Sequence, residues 1–483
     1  MMGTFFALLL AVLAVEYFLY LPFVKEGKKS LVVVQKSVRI LSSKRISDHW
    51  KERALIRYAQ AVIKSTLYLA LMLSGLLVWM SGSAFLLDKW FNPKPTTIET
   101  LASPMSWIWI TVIATIYLYA RNRFILLSNK SDYSFGDRLL HRLALGSPLI
   151  GRISLEIDQA LSGNNGGKQE ESPVFICALA RAGTTILMRT FYDTGKFRSL
   201  TYRDMPFVLM PGIWKRLSKS FHQYKAEEER AHGDGIGVNF DSPEAFEEVF
   251  WRVFSSDEYL YEDHLSPYSA NTETIHRFQQ FVSQVISSAD QPHQQRYLSK
   301  NNNNILRLGS IRRAFPDALI IVPFRDPIQH AISLFHQHTQ FCATHEADPF
   351  NYNYMKWLGH HEFGATHRPF QFGDRWAVKA KDHRPENINY WLALWINTYR
   401  YLLETAPQDT VFVSFEELCR EPQHTLSMLF SRANLVEGGF SIKEKIRAPK
   451  VKQDDNIEQE LKKQALQTYH DLSEMYDMRG KLS

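Results

Sequence analysis

Residues 173–195 read PVFICALARAGTTILMRTFYDTG, and the reading of this stretch decides the fold. PVFICAL is a short apolar run bounded by a linker and a turn, the pattern of a buried strand. ARAG is the turn, and TTILMRTFYDTG has helical patterning. A helix that starts directly after a strand presents unpaired backbone N–H groups and a partial positive charge to whatever lies before it. Gly183 lets the backbone approach an anion closely, Thr184 and Thr185 add hydroxyl donors, and Arg181 adds a forked cation. A nucleotide triphosphatase loop would need G-x-x-x-x-G-K-[ST]. Here Ala178 stands at the first glycine and Thr184 at the lysine, which disfavours triphosphate hydrolysis and suits a shorter anion.

The same alternation recurs downstream. ALIIVPF (318–324) precedes PIQHAISLFHQH (327–338), and TVFVSFEEL (410–418) precedes PQHTLSMLFSRANL (422–435). Strands alternating with helices predict an α/β fold, a P-loop-like parallel sheet flanked by helices, with its binding site at the carboxyl ends of the strands. Upstream, Ser162–Ser172 (SGNNGGKQEES) is polar and without apolar periodicity, so residues 131–172 read as a connector and 173–483 as the α/β domain.

Residues 1–130 read as a membrane anchor, an N-terminal transmembrane helical region. Three apolar runs, 3–24, 65–87 and 105–125, are of spanning length or close to it. The third is the shortest, and its Trp107, Trp109, Tyr117 and Tyr119 suit the two interfaces. No Lys or Arg precedes the first run, which excludes an ordinary signal peptide. The intervening loop, 25–64, holds eleven Lys or Arg against Glu26, Asp48 and Glu52. By the positive-inside rule this loop and everything after the third run are cytoplasmic, with the amino terminus outside. The expected partner is the lipid bilayer.

The 483 residues are 45% hydrophobic and 22% charged, which suits a globular chain of more than one region. A net charge of +6 is too small to point to nucleic acid, and no such partner is expected. Three cysteines, Cys177, Cys342 and Cys419, form no C-x-x-C pair, so neither a disulfide framework nor a zinc site is expected.

With these features together, the chain resembles the sulfotransferases that use 3′-phosphoadenosine 5′-phosphosulfate (PAPS). ALARAGTTIL is similar to their first signature, [PA]-[RK]-[SA]-G-T-T, with Ala180 in place of the common Pro. LIIVPFRDPIQHAISLFHQH is similar to their second, R-D-P with a Ser eight residues after the Arg, here Arg325 and Ser333. VFVSFEELCREPQHTLSMLF is similar to a third, packing unit, in which Glu416 and Glu417 read as caps. The likeness covers about 173–435. It implies donor binding by Arg181, Ala182, Gly183, Thr184, Thr185, Arg325 and Ser333, with the last two on the 3′-phosphate. It also implies PAPS as donor substrate and no metal.

The resemblance further implies a catalytic lysine about 25 residues before that arginine, which is Lys300 in YLSKNNNNILRL; Arg181 is the other cation on the transferred group. Where the small soluble relatives carry a histidine base, this chain has Asn302, which cannot take a proton. Tyrosylprotein sulfotransferases carry an acid soon after the first helix; here that is Asp204, the expected base. His232, in a Gly-rich segment with Asp234, is the alternative. The His-rich GHHEFGATHRPF (359–370) lacks H-E-x-x-H spacing and reads as an acceptor-lining or capping loop. The expected activity is sulfuryl transfer from PAPS to a hydroxyl or amine acceptor, a membrane lipid or glycan being one candidate, by an integral, multi-pass membrane protein with a cytoplasmic catalytic domain. The rival reading is a membrane-tethered nucleotide-binding or scaffold protein whose sulfotransferase domain is degenerate.

Overall fold

The computed structural model describes residues 2–20, 48–91, 94–127, 135–162, 172–218, 242–289, 296–378, 384–435 and 456–480, with isolated positions and two short strands between them. The chain divides into two compact units, Met1–Phe135 and Gly136–Ser483.

The first unit is helical: Met2–Tyr20, Asp48–Phe91, Thr97–Ala102 and Pro104–Leu127. Among the described residues, one helix, Ile56–Phe91, is long and apolar enough to cross a membrane; Phe6–Val15 and Ser106–Leu118 are shorter apolar stretches. The expected loop 25–64 is corrected in part. Residues 48–64 continue the apolar helix without a break, because this segment has no Gly or Pro to end it. The rest of that loop lies mostly outside the described residues. Asp88 accepts from the backbone N–H of Thr97 (2.7 Å) and Ile98 (3.2 Å), tying the end of the long helix to the start of the next short one.

The second unit holds a five-stranded parallel sheet in the order β2-β5-β1-β6-β7. Its strands are β1 Val174–Ile176, β2 Phe197–Arg198, β5 Arg296–Lys300, β6 Leu319–Phe324 and β7 Val411–Ser414; β3 Glu228–Glu229 and β4 Gly237–Val238 form a separate ribbon. The strands are buried on both faces, which is why they read as continuous apolar runs rather than alternating ones. β1 is central, with Ile176 in register with Lys300 on one side and Ile321 on the other. The strand order reverses here, at the carboxyl end of β1, where such sheets bind ligands.

The expected connector is not a linker throughout. Phe135–Gly146 and Pro148–Ser162 are helices, and nearly all of the former and the whole of the latter lie in the second unit. Buried Asp158 accepts from the backbone N–H of Gly212 (3.2 Å) and Ile213 (2.7 Å), near the start of helix Pro211–Ser218. The stretch DSPEAFEE (241–248) reads as a helix start, with Ser242 as cap and Pro243 in the first position, but the start shifts. Helix Glu248–Tyr259 begins later, because Thr201 bridges Pro243 and holds that segment extended.

Behind β5 lies a buried polar core. Arg307 pairs both its terminal nitrogens with Glu248, each at 3.0 Å, and its guanidinium lies 4.8 Å from the rings of both Trp251 and Tyr259. Asn301 donates to Glu248 at 2.8 Å, and Tyr259 donates its hydroxyl to the same carboxylate. Removing one partner of a fully buried pair costs about 3–5 kcal/mol. Arg307→Met is therefore expected to lower the unfolding free energy by about that amount in denaturant titrations of the purified chain, and a loss under about 1 kcal/mol would show that the pair is dispensable.

Candidate active site

The loop after β1 is set by backbone conformation. Arg181 has φ +72° and Gly183 φ +90°, both left-handed, which brings the chain round to start helix Thr184–Tyr192. A Cβ on Gly183 would lie 2.7 Å from the Phe415 ring, so this glycine is required twice over. Thr184 and Thr185 are buried in the first turn.

His330, wholly buried, anchors the same loop to helix Pro327–Ala347. Its Nδ1 accepts from Trp395 Nε1 at 3.1 Å, so the proton is on Nε2, which donates to Ala180 O at 2.7 Å. Burial pushes its pKa down to about 3, against the opposing effect of the Ala180 bond, and the ring is neutral.

Three expected anion ligands come together. Arg181 Nε donates to Ser333 Oγ at 3.3 Å. Arg325 leaves the end of β6 with its guanidinium 5.3 Å from the Phe415 ring centre. Burial lowers its pKa, Glu416 opposes this, and the positive charge of Arg181 adds to it. Two cations thus face a common region beside a helix amino terminus, an arrangement that attracts a polyanion. Asp326 caps the following helix by accepting from Gln329 N at 2.9 Å, with Pro327 in the first turn. Glu416 is not a cap: it accepts from Asp326 N (3.0 Å) and Tyr469 OH (3.1 Å), while Ser414 caps the helix at Phe415–Arg420.

Lys300 ends β5 beside the loop, with Nζ 3.9 Å from buried Glu244. Glu362 is a second carboxylate near it. Burial alone would raise its pKa, but His360, a 2.8 Å hydrogen bond from Asn302 and the charge of Lys300 outweigh burial and hold it below the ordinary value. Sequence reasoning missed Glu244 because the segment carrying it read as a helix start.

Asp204, the expected base, is buried and engaged on both oxygens. Its Oδ1 is paired with Arg198 at 2.6 Å, and its Oδ2 accepts from Thr201 N (2.7 Å) and Thr201 Oγ1 (3.2 Å). It caps its own turn, Tyr202–Asp204, and neutralises a buried arginine. Both oxygens of this carboxylate are thus held within its own turn and by Arg198. The alternative, His232 with Asp234, lies outside the described residues.

Residues 173–369 match the family model described as the sulfotransferase family. Over these residues, less than half of the chain, it is similar to that family. The sulfotransferase match thus spans the anion loop, Lys300, Arg325 and the His-rich loop. Three solved structures are similar to the chain, each with a TM-score of 0.33. A sulfotransferase from Mycobacterium avium is 14% identical, with 61% of this chain and 70% of that one covered. One from Mycobacterium tuberculosis is 11% identical, with 69% and 83% covered. One from Alicyclobacillus acidocaldarius is 12% identical, with 64% and 96% covered. No curated protein matches the chain.

Gly183→Ala is expected to lower the melting temperature. Adding Phe415→Leu relieves the clash but not the left-handed backbone, which costs about 1–2 kcal/mol without glycine. The double variant should regain stability only in part; full recovery in thermal melts would show that the backbone conformation is not needed.

Proposed function

We propose that this protein transfers the sulfuryl group of PAPS to a hydroxyl acceptor from a membrane-anchored position. The observation that carries this reading is the gathering of Arg181, Ser333 and Arg325 at the carboxyl ends of β1 and β6, beside the helix amino terminus at Thr184. The backbone N–H groups at that terminus, with Thr184 and Thr185, hold the 5′-phosphosulfate. Arg325 and Ser333 hold the 3′-phosphate. Arg181 and Lys300 offset the charge that develops on the sulfuryl group and on the departing phosphate oxygen. This role is supported by the β1–β5 register, which sets Lys300 beside Ile176 at the start of the loop, and by its ion pair with Glu244 at 3.9 Å.

Arg325→Ala tests the donor. Loss of one charge-assisted contact is worth about 1.5–3 kcal/mol, so calorimetry should show PAPS binding weakened about ten- to a hundred-fold. Adenosine 5′-phosphosulfate, which lacks the 3′-phosphate, should change little. Equal weakening of both would make Arg325 a folding residue and overturn its assignment.

The membrane reading rests on the apolar helix Ile56–Phe91, the flanking apolar runs and the basic excess of 25–64. It makes the chain a multi-pass protein with its transfer domain in the cytoplasm. Under this topology a cysteine introduced at Ser43 should resist an impermeant thiol reagent in intact cells and react after permeabilisation. Reaction in intact cells would reverse the orientation.

A further inference from the structure

The His-rich loop and the asparagine run meet at a small cavity in the second unit. It admits a volume of about 20 Å³, room for one water-sized group. Asn302, Asn303 and His361 line it, and each is at least nine-tenths buried. Asn302 spends its amide N–H on Glu362 (2.8 Å) and Asn303 spends its own on Gly359 O (3.1 Å). His361 Nδ1 lies 3.0 Å from Thr366 O, which can only accept, so Nδ1 carries the proton and Nε2 is bare. Asn302 Oδ1, Asn303 Oδ1 and His361 Nε2 have no hydrogen-bond partner within the protein. Three buried acceptors around one small space call for a ligand that donates hydrogen bonds.

The surroundings say where that group belongs. Leu179 and Ala180, the residues just before Arg181, form one wall of the cavity. Glu362, which feels the charge of Lys300, is another part of it. The remaining wall is largely apolar, with Leu265, Phe370 and Trp391. The space takes only a hydroxyl-sized tip, and the apolar side chains around it disfavour further polar groups next to that tip.

We propose that this cavity receives the reacting hydroxyl of an alcohol with an apolar body, that Asn302 and Asn303 orient it, and that His361 Nε2 takes its proton. This deepens the sulfuryl-transfer reading and rests on it. As the alcohol oxygen bonds to sulfur, the bond from sulfur to the bridging 5′-phosphate oxygen breaks. That oxygen keeps the electron pair, and 3′-phosphoadenosine 5′-phosphate departs. The alcohol proton passes to Nε2, and the imidazolium so formed keeps its Nδ1 bond to Thr366 O. Of the three unpartnered acceptors only His361 Nε2 can do this, since the two amide oxygens do not hold a proton at neutral pH. Burial holds the His361 pKa down to about 4, with Arg368 adding and the Thr366 bond opposing, so the ring is unprotonated and ready over the neutral range.

The test uses the full chain in phosphatidylcholine vesicles with PAPS and, separately, 1-octanol, glycerol or water alone as acceptor. Octyl sulfate should form, and faster than glycerol sulfate. His361→Gln keeps an acceptor but not a base, and should lower kcat about 10²- to 10⁴-fold. Stabilisation by 3′-phosphoadenosine 5′-phosphate should be unchanged in that variant. In the wild type, kcat should fall as the pH drops towards about 4, a limb absent from the variant. If the product nucleotide fails to stabilise the wild type, the donor reading falls and takes this proposal with it. If it stabilises both chains and His361→Gln turns over at the wild-type rate, this proposal alone is overturned. Absence of octyl sulfate, or a preference for glycerol, overturns the acceptor class. Should the variant not fold, a kcat flat from pH 7 to 4 in the wild type overturns the base.

Discussion

The Phe415 ring sits under both halves of the anion site. On one side it leaves no space for a side chain at Gly183; on another it lies 5.3 Å from the Arg325 guanidinium. One aromatic ring therefore limits both the path of the loop after β1 and the position of the arginine after β6. The next residue, Glu416, holds the backbone of Asp326, so the turn carrying Arg325 is fastened to the end of β7 as well. Two cations that repel one another are kept close by packing and backbone bonds. A polyanion between them would relieve that repulsion.

Beneath this site the asparagine run divides its labour by position. Residues three apart share a side of a 3₁₀ turn. Asn301 and Asn304 accordingly turn inward, to Glu248 at 2.8 Å and Glu247 at 2.9 Å. Asn302 and Asn303 turn to the 359–362 loop instead. Gly359 closes the circuit: it is left-handed, and a Cβ there would lie 2.5 Å from Glu248 Cγ. Lys300, the buried carboxylates and the His-rich loop are thus parts of one bonded assembly, and a shift in any of them reaches the others.

Much of this was legible in the sequence wherever chemistry is local. The strand-turn-helix at 173–195 and the R-D-P turn carry their own glycine, cap and proline signals, and both form as read. The surroundings of the expected base were not legible. Asp204 has the same letters around it whether it is free or paired; its partner Arg198 stands only six residues away, but a side-chain pairing leaves no spacing rule. Glu244 hid in a pattern, Ser-Pro-Glu, that starts helices, until a bridge from Thr201 pulled it straight. The role of His361 depends on which of its nitrogens meets a carbonyl, and no residue pattern records that. The apolar runs were read by composition, which finds hydrophobic stretches but does not say that a helix continues past them into the charged residues.

That continuation has a mechanical consequence. Helix Asp48–Phe91 has 44 residues, which at 1.5 Å each make a rod of about 66 Å, roughly twice the hydrocarbon thickness. Where its apolar part crosses a bilayer, the segment from Asp48 to Lys64 becomes a rigid arm of about 25 Å that has no hinge of its own. An ordinary tilt of about 20° swings the tip of such an arm by about 9 Å. Arg57 and Lys64 ride on it, so in a bilayer a change in thickness would become a lateral displacement of positive charge.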